Sequence, residues 1–199
     1  MISFRHSSSR SAIALVTALA ALGLALAASL AAGAGEDATA RGPSQACQGA
    51  DRPAERSTPA QLRRSIRCLV NLERAVRGRS KLARDRSMQK ASQKHAVVMV
   101  EEQCLAHSCG DEPRLPDRVR RSGYLDGADA WQVAESTGCG VTAQAMVKNW
   151  MADTYHRINI LEKDFADIGV GVVQEPIKRR CAKDFATFAV IFGWRAPDA

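Results

Sequence analysis

The sequence predicts an α+β domain in which four helices come first and an antiparallel hairpin comes last. Three observations carry that prediction. Apolar residues recur at helical spacing in four stretches between residues 59 and 156. The run Ile168-Gly-Val-Gly-Val-Val173 alternates apolar residues with glycine, and a second β-run, Phe185 to Gly193, follows closely. Six cysteines, Cys47, Cys68, Cys104, Cys109, Cys139 and Cys181, all lie downstream of an export leader, as in a domain held by disulfides.

Residues 1–34 read as a secretory signal peptide. Arg5, His6 and Arg10 make a basic, acid-free start, and residues 12–32 are almost wholly apolar. Ala32-Gly33-Ala34 is a small-residue cleavage site, with Ala38-Thr39-Ala40 as a second. A retained anchor is the alternative, because the apolar run approaches the roughly 20 residues of a membrane span. Its many alanines leave it weakly hydrophobic, so the mature form is expected to have no stable membrane span. No arginine pair suggests a twin-arginine signal, and no nearby cysteine suggests a lipoprotein anchor. The expected location is extracellular, with the cell envelope possible in place of free secretion.

Cleavage leaves about 165 residues, the size of one domain with its own core, and a monomer is expected. The chain carries a net charge of +7, and the leader holds only two of its arginines. Arg63-Arg64 and Arg84-Asp85-Arg86 read as solvated helix faces, with a weak attraction to anionic cell-wall or membrane surfaces. Two tyrosines and few exposed aromatics offer little to stack bases, so nucleic acid is not an expected partner.

Residues 35–58 are Gly, Ala, Ser, Pro and charge, and read as a flexible arm before a domain spanning 59–199. Thr58-Pro59 then pairs an N-cap with proline at the first helical position. Leu62, Ile66, Leu69, Val70 and Val76 follow at helical spacing, and Gly78 marks the stop. Glu73 and Arg74 read as a charge pair on the solvated face. A second helix begins near Asp85 or Ser87, with Met88, Ala91, His95, Val98 and Met99 on one stripe. His95 is therefore expected to be buried and structural. Residues 104–113 are a loop carrying His107. A short helix with Leu115 and Val119 stops at Gly123-Tyr124. Residues 125–141 read as turn-rich around Trp131 and Glu135. Thr142 caps a helix whose Ala145, Met146, Val147, Trp150 and Met151 face inward and which ends near Tyr155-His156. Arg157 to Phe165 reads as a turn, and Pro176 to Lys183 as a basic loop. The glycines of the Ile168 run imply that something packs closely on their side.

For the cysteines, Cys47–Cys68 is the favoured pair, closing a loop of about 20 residues worth roughly 3 kcal/mol. The other four leave Cys104–Cys109 and Cys109–Cys139 open. A zinc–thiolate site is a poor match, since no C-x-x-C occurs and Cys-x4-Cys around His107 has the wrong spacing. His107, Glu135 and His156 sit in segments without regular periodicity, where functional groups commonly lie. Two imidazoles and a carboxylate suit Zn²⁺ with an open position, but their spacing alone does not bring them together.

The ordered segments carry more information. They run Cys68-Leu-Val-Asn71-x-x-Arg74, Ala91-x-x-x-His95-Ala-x-x-Met99, Leu105-Ala-His107, Asp117-Arg118-Val-x-x-x-Gly123-Tyr124, Ala134-Glu135, and Val147-x-x-Trp150-Met151. His156-Arg157-x-Asn159-Ile160-Leu161-x-x-x-Phe165-x-x-Ile168-Gly-Val-Gly171 and a strand ending Phe192-Gly193 complete the series. Over residues 65–193 this order resembles the CAP superfamily of cysteine-rich secretory proteins, antigen 5 and pathogenesis-related proteins, in its bacterial secreted branch. The resemblance implies an α-β-α sandwich, a small antiparallel sheet between helical layers. It also implies a cleft of two histidines and two acids. His107 and His156 match the histidines, Glu135 matches the acid of a Gly-Glu-Asn motif, and Asp153 stands at the fourth place. Here the motif reads Ala134-Glu135-Ser136, without the asparagine. The implied function is a non-enzymatic extracellular binding domain whose cleft can hold Zn²⁺ or another divalent cation. A metal-dependent hydrolase with Glu135 as base is the alternative, and a lipid or sterol binder a second. The ligand would be extracellular, a lipid or envelope component among the options. Arg157 and Asn159 are expected to act structurally.

Overall fold

Thr58 and Gln61 cap each other's backbone at the start of the first helix, the Thr58 hydroxyl accepting from the Gln61 N–H and the Gln61 amide oxygen from the Thr58 N–H. The computed structural model describes residues 3–7, 46–183 and 185–197. Most of the expected leader and residues 35–45 of the expected arm lie outside them. In chain order the elements are β1 (Ser3–Ser7), α1 (Pro59–Ala75), β2 (Ala83–Arg84), α2 (Arg86–Glu101), α3 (Leu115–Arg121), β3 (Ala128–Gly140), α4 (Ala143–Ala152), α5 (Thr154–Leu161), β4 (Asp167–Val173) and β5 (Ala186–Pro197). Asp85, Thr142 and Asp153 cap α2, α4 and α5 with side-chain oxygens.

The sheet order is β1-β3-β5-β4-β2. β4 and β5 form the expected antiparallel hairpin, and β5 pairs antiparallel with β3. The two-residue β2 runs parallel to β4, which makes the sheet mixed. Ser3–Ser7 runs antiparallel along the outer edge of β3, Ser3 opposite Ala134 and Ser7 opposite Ala130. Along β5, Phe188, Val190 and Phe192 pack with α1, α4 and α5, while Ala189 and Ile191 belong to the clusters under α2 and α3. Both faces of the sheet are thus covered by helices, the α-β-α sandwich. A Cβ built on Gly169 would meet the Met88 backbone at 2.2 Å, and one on Gly171 the Ser92 carbonyl oxygen at 2.2 Å. The close neighbour that the glycine-alternating strand implies is α2.

Four expectations need correction. Residues 128–140 are a strand where a turn-rich stretch reads in the sequence. Val133 to Ser136 are buried on both faces, so the alternation of a half-buried strand is missing. Thr154–Leu161 is a helix where the sequence suggests a turn beyond His156. Residues 46–58 are part of the core and not a loose arm: Cys47, Ala50 and Ala54 are buried, the Ala54 N–H donates to the Val141 carbonyl, and the Ala50 carbonyl accepts from Gln144. Arg74 is fully buried instead of solvated. Its guanidinium donates to the carbonyls of Ser80, Ile160, Glu162 and Phe165, at 2.7, 2.8, 2.8 and 3.2 Å. Glu73 pairs with Arg77 instead.

The disulfides are Cys47–Cys68, Cys104–Cys109 and Cys139–Cys181. Among the described residues no helix is long and apolar enough to cross a membrane.

Candidate functional site

Glu135 sits in the middle of β3 and is fully buried. Burying a carboxylate is costly unless charge and hydrogen bonds compensate it. The Arg118 guanidinium, from α3, lies 3.1 Å from Glu135 Oε1 and 3.0 Å from Oε2. His107 Nδ1 lies 3.0 Å from Oε1 and serves as its donor. Burial pushes the Glu135 pKa up, but the His107 hydrogen bond and the charges of His95 and Arg118 outweigh it and hold the group below the usual carboxylate range. The same Arg118 donates to the His107 carbonyl at 2.9 Å, so one guanidinium fixes both the strand carboxylate and the loop that carries the imidazole.

That loop is tied at its base by Cys104–Cys109, and it turns sharply at Gln103, whose φ is 51°. Glu112 Oε1 accepts from the Cys109 N–H at 3.0 Å. It also stands 2.6 Å from His95 Nδ1, close but off the line of a hydrogen bond. His95 Nε2 is 3.1 Å from the Ala106 carbonyl oxygen; a carbonyl only accepts, so Nε2 carries the proton. His95 is fully buried, as its place on the apolar stripe implies. Burial pushes its pKa down against the pull of Glu135 and Glu112.

His156 stands on α5. Asp153 Oδ1 accepts from the Tyr155 and His156 backbone N–H groups, capping the helix, and lies 3.3 Å from His156 Nδ1. The His156 pKa is lowered first by burial, then raised by Asp153 and lowered again by the charge of His107. Both imidazoles keep partial access to solvent. Neither Nε2 has a hydrogen-bond partner among the described residues. Asn159 Nδ2, from the same helix, donates to the Glu135 carbonyl at 3.0 Å and ties α5 to β3. Arg157 donates to the Met151 and Ala152 carbonyls. Both act on backbone groups, as expected.

The site thus joins His107 directly to Glu135 and His156 directly to Asp153. Sequence reasoning gave no role to Glu112 or Arg118. Glu112 follows His107 by five residues within the cysteine-flanked loop, and Arg118 stands inside a quoted motif; that proximity to His107 was the available signal. Among the described residues no group of three or more His, Cys, Asp or Glu is arranged to hold a metal ion. Glu135 Oε1 accepts from both Arg118 and His107, while Oε2 is buried against Arg118 at 3.0 Å without a hydrogen bond, and Asp153 caps a helix.

A sequence model of the CAP family, the cysteine-rich secretory protein family, matches residues 68–190. The chain belongs to the CAP family. The CAP domain here is similar in fold to an extracellular SCP-domain protein of Bacillus anthracis, with 21% identity and a TM-score of 0.53 over 68% of this chain. It spans 43% of that protein's length. It is also similar to an outer surface protein of Borrelia burgdorferi, with 16% identity and a TM-score of 0.59 over 70% of this chain and 97% of the other. No curated protein matches the sequence at a significant level. The three closed disulfides of this CAP domain agree with an oxidising, extracytoplasmic compartment.

Proposed function

We propose that this is a secreted CAP-domain binding protein in which His107 and His156 together hold one divalent cation, Zn²⁺ by donor chemistry, through their Nε2 atoms. The observation that carries this is a carboxylate beside Nδ1 of each imidazole: Glu135, hydrogen-bonded to His107 at 3.0 Å, and Asp153, in ion-pair contact with His156 at 3.3 Å. A carboxylate at one ring nitrogen fixes the tautomer, turns the other nitrogen's lone pair outward and raises its basicity, the usual support of a histidine ligand. Glu135 and Asp153 are positioning residues in this reading and not ligands. An ion held by two imidazoles keeps coordination positions for an oxygen or sulfur of an extracellular ligand. The hydrolase reading is weaker. Glu135 is held ionised by Arg118, has no face to solvent, and already orients His107, so it is poorly placed as a base for water.

Metal analysis of the mature protein, beside His107→Ala and His156→Ala, tests the proposal. The account expects about one Zn²⁺ per chain and at least a tenfold loss of affinity in each variant, in line with removal of one of two ligands. Unchanged affinity in both would overturn it.

A further inference from the structure

We infer that the face formed by α1 and α2 is a docking trough for a linear polyanion of the cell envelope, a polysaccharide carrying uronate, sulfate or phosphodiester groups. Arg63 and Arg67 stand one turn apart on α1, and Arg86, Lys90 and Lys94 stand one turn apart on α2. Arg84, in β2, lies beside them. Arg63, Arg86, Lys90 and Lys94 line one open trough of about 590 Å³, with Gln89 and Gln93 between them. Among the described residues none of these six cations forms an ion pair. Arg63 and Arg84 donate instead to the neutral amide oxygens of Gln93 and Gln89, at 3.2 and 2.9 Å. Those bonds orient the two guanidinium groups without neutralising them.

Like charges four residues apart on a helix are destabilising, and the sequence accepts three such pairs here: Arg63 with Arg67, Arg86 with Lys90, and Lys90 with Lys94. The crowding registers in the arginines: the pKa values of Arg63 and Arg67 are lowered by burial and then by the charges of Arg84 and Arg64. Such a surface concentrates polyanions. Successive cations on α2 are about 6 Å apart along the axis, comparable to the spacing of charges on an extended phosphodiester or polyuronate chain. Cations on both rims of a concave trough suit a chain lying within it. Between the cations the trough is lined by the half-buried Val97 and Val98; the exposed large apolar residues Val76, Leu105, Tyr155 and Ile158 lie elsewhere, so no bulky apolar side chain stands out for insertion into a membrane. It has no aromatic lining on which nucleobases could stack.

The test compares binding of a heparin oligosaccharide of about ten sugars, at about 0.15 M salt, to the mature protein and two triple variants. R86Q/K90Q/K94Q removes three trough charges, all on exposed side chains. R179Q/R180Q/K183Q removes three charges from the exposed basic loop between β4 and β5. The expected result is at least about a tenfold loss in the first and a change within about twofold in the second. The trough variant should melt at the same temperature or higher, because it relieves like-charge repulsion. K90Q/K94Q, with Arg86 retained, should fall between. Equal losses in both triple variants would reduce the effect to net charge and overturn the inference. So would no binding by the unaltered protein, or tighter binding to phosphatidylglycerol-containing vesicles or to an oligothymidylate than to the oligosaccharide.

Discussion

Arg74 shows how far a single buried side chain can matter when its donors are all used. The four carbonyls it reaches belong to the loop after α1 and to the stretch joining α5 to β4. Arg74→Ala would leave those carbonyls buried without a donor, and urea unfolding should show a loss of more than about 3 kcal/mol. Lysine lacks the planar fork that serves several carbonyls at once, so Arg74→Lys should recover only a fraction. In sequence the residue resembles any helix-surface arginine, because nothing local records that three of its four partners lie more than 80 positions away. His95 was legible for the opposite reason: its neighbours on the α2 stripe are apolar. His95→Ala should lower the melting temperature and leave Zn²⁺ affinity unchanged; lost affinity with unchanged stability would reverse that assignment. The Glu135 pKa is depressed in the fold. Its charge therefore contributes stability that is fully present above the ordinary value of 4.5 and is lost as pH falls through the depressed value. Acid unfolding followed by circular dichroism should show this limb, and Glu135→Gln should remove it while lowering stability at neutral pH, because Arg118 is left with only the more distant Glu112 carboxylate at 3.8 Å. Zn²⁺ binding requires neutral imidazoles. Burial lowers the pKa of His156 and favours its neutral form, so affinity should fall as pH drops into the range where imidazoles protonate.

At the scale of elements, periodicity revealed those with one buried face. α1, α2, α3 and α4 could be read directly from their apolar stripes and caps, and the β4–β5 hairpin from β-runs joined by a loop. β3 could not, because it lies under helices on both sides and carries a buried Glu, a Ser and two glycines in its second half. α5 was hidden by its length: eight residues, with only Asp153 between them and the end of α4, leave little room for a repeating stripe. Asp153 was the visible clue, since a carboxylate two and three residues before the N–H groups it caps marks a new helix start. Asp153→Ala should cost about 1 kcal/mol as a lost cap and also weaken Zn²⁺ binding by freeing the His156 ring. Asp153→Asn keeps a capping oxygen and should restore stability while leaving part of the affinity loss, which separates capping from imidazole positioning. Gly169 and Gly171 mark the closest approach of β4 to α2. Gly171→Ala would drive a methyl into the Ser92 carbonyl and should destabilise by several kcal/mol, more than the roughly 1–3 kcal/mol of ordinary overpacking, because backbone cannot step aside.

For the molecule as a whole, the sandwich brings the α2–α3 loop and α5 to opposite sides of one strand. His107 and His156, 49 residues apart in sequence, are thereby both tied to β3, His107 through Glu135 and the helix of His156 through Asn159. What could not be read from residue order was that Arg118, together with the His107 hydrogen bond, makes the buried Glu135 carboxylate tolerable. The segment 46–58 looked dispensable from composition, yet its small residues are what allow it to lie flat against α4. Truncation before Ser57 should therefore cost core packing as well as a disulfide. In the proposed site the Nε2 atoms of His107 and His156, and not Glu135 or Asp153, bind the ion. Long-range ¹H–¹⁵N NMR of the histidine rings during Zn²⁺ titration of the mature protein measures this directly. The account predicts that the Nε2 signals of His107 and His156 move together to saturation at one ion per chain, with Nδ1 still protonated and His95 unmoved. Zn²⁺-dependent shifts confined to one histidine, or none at neutral pH, would contradict it.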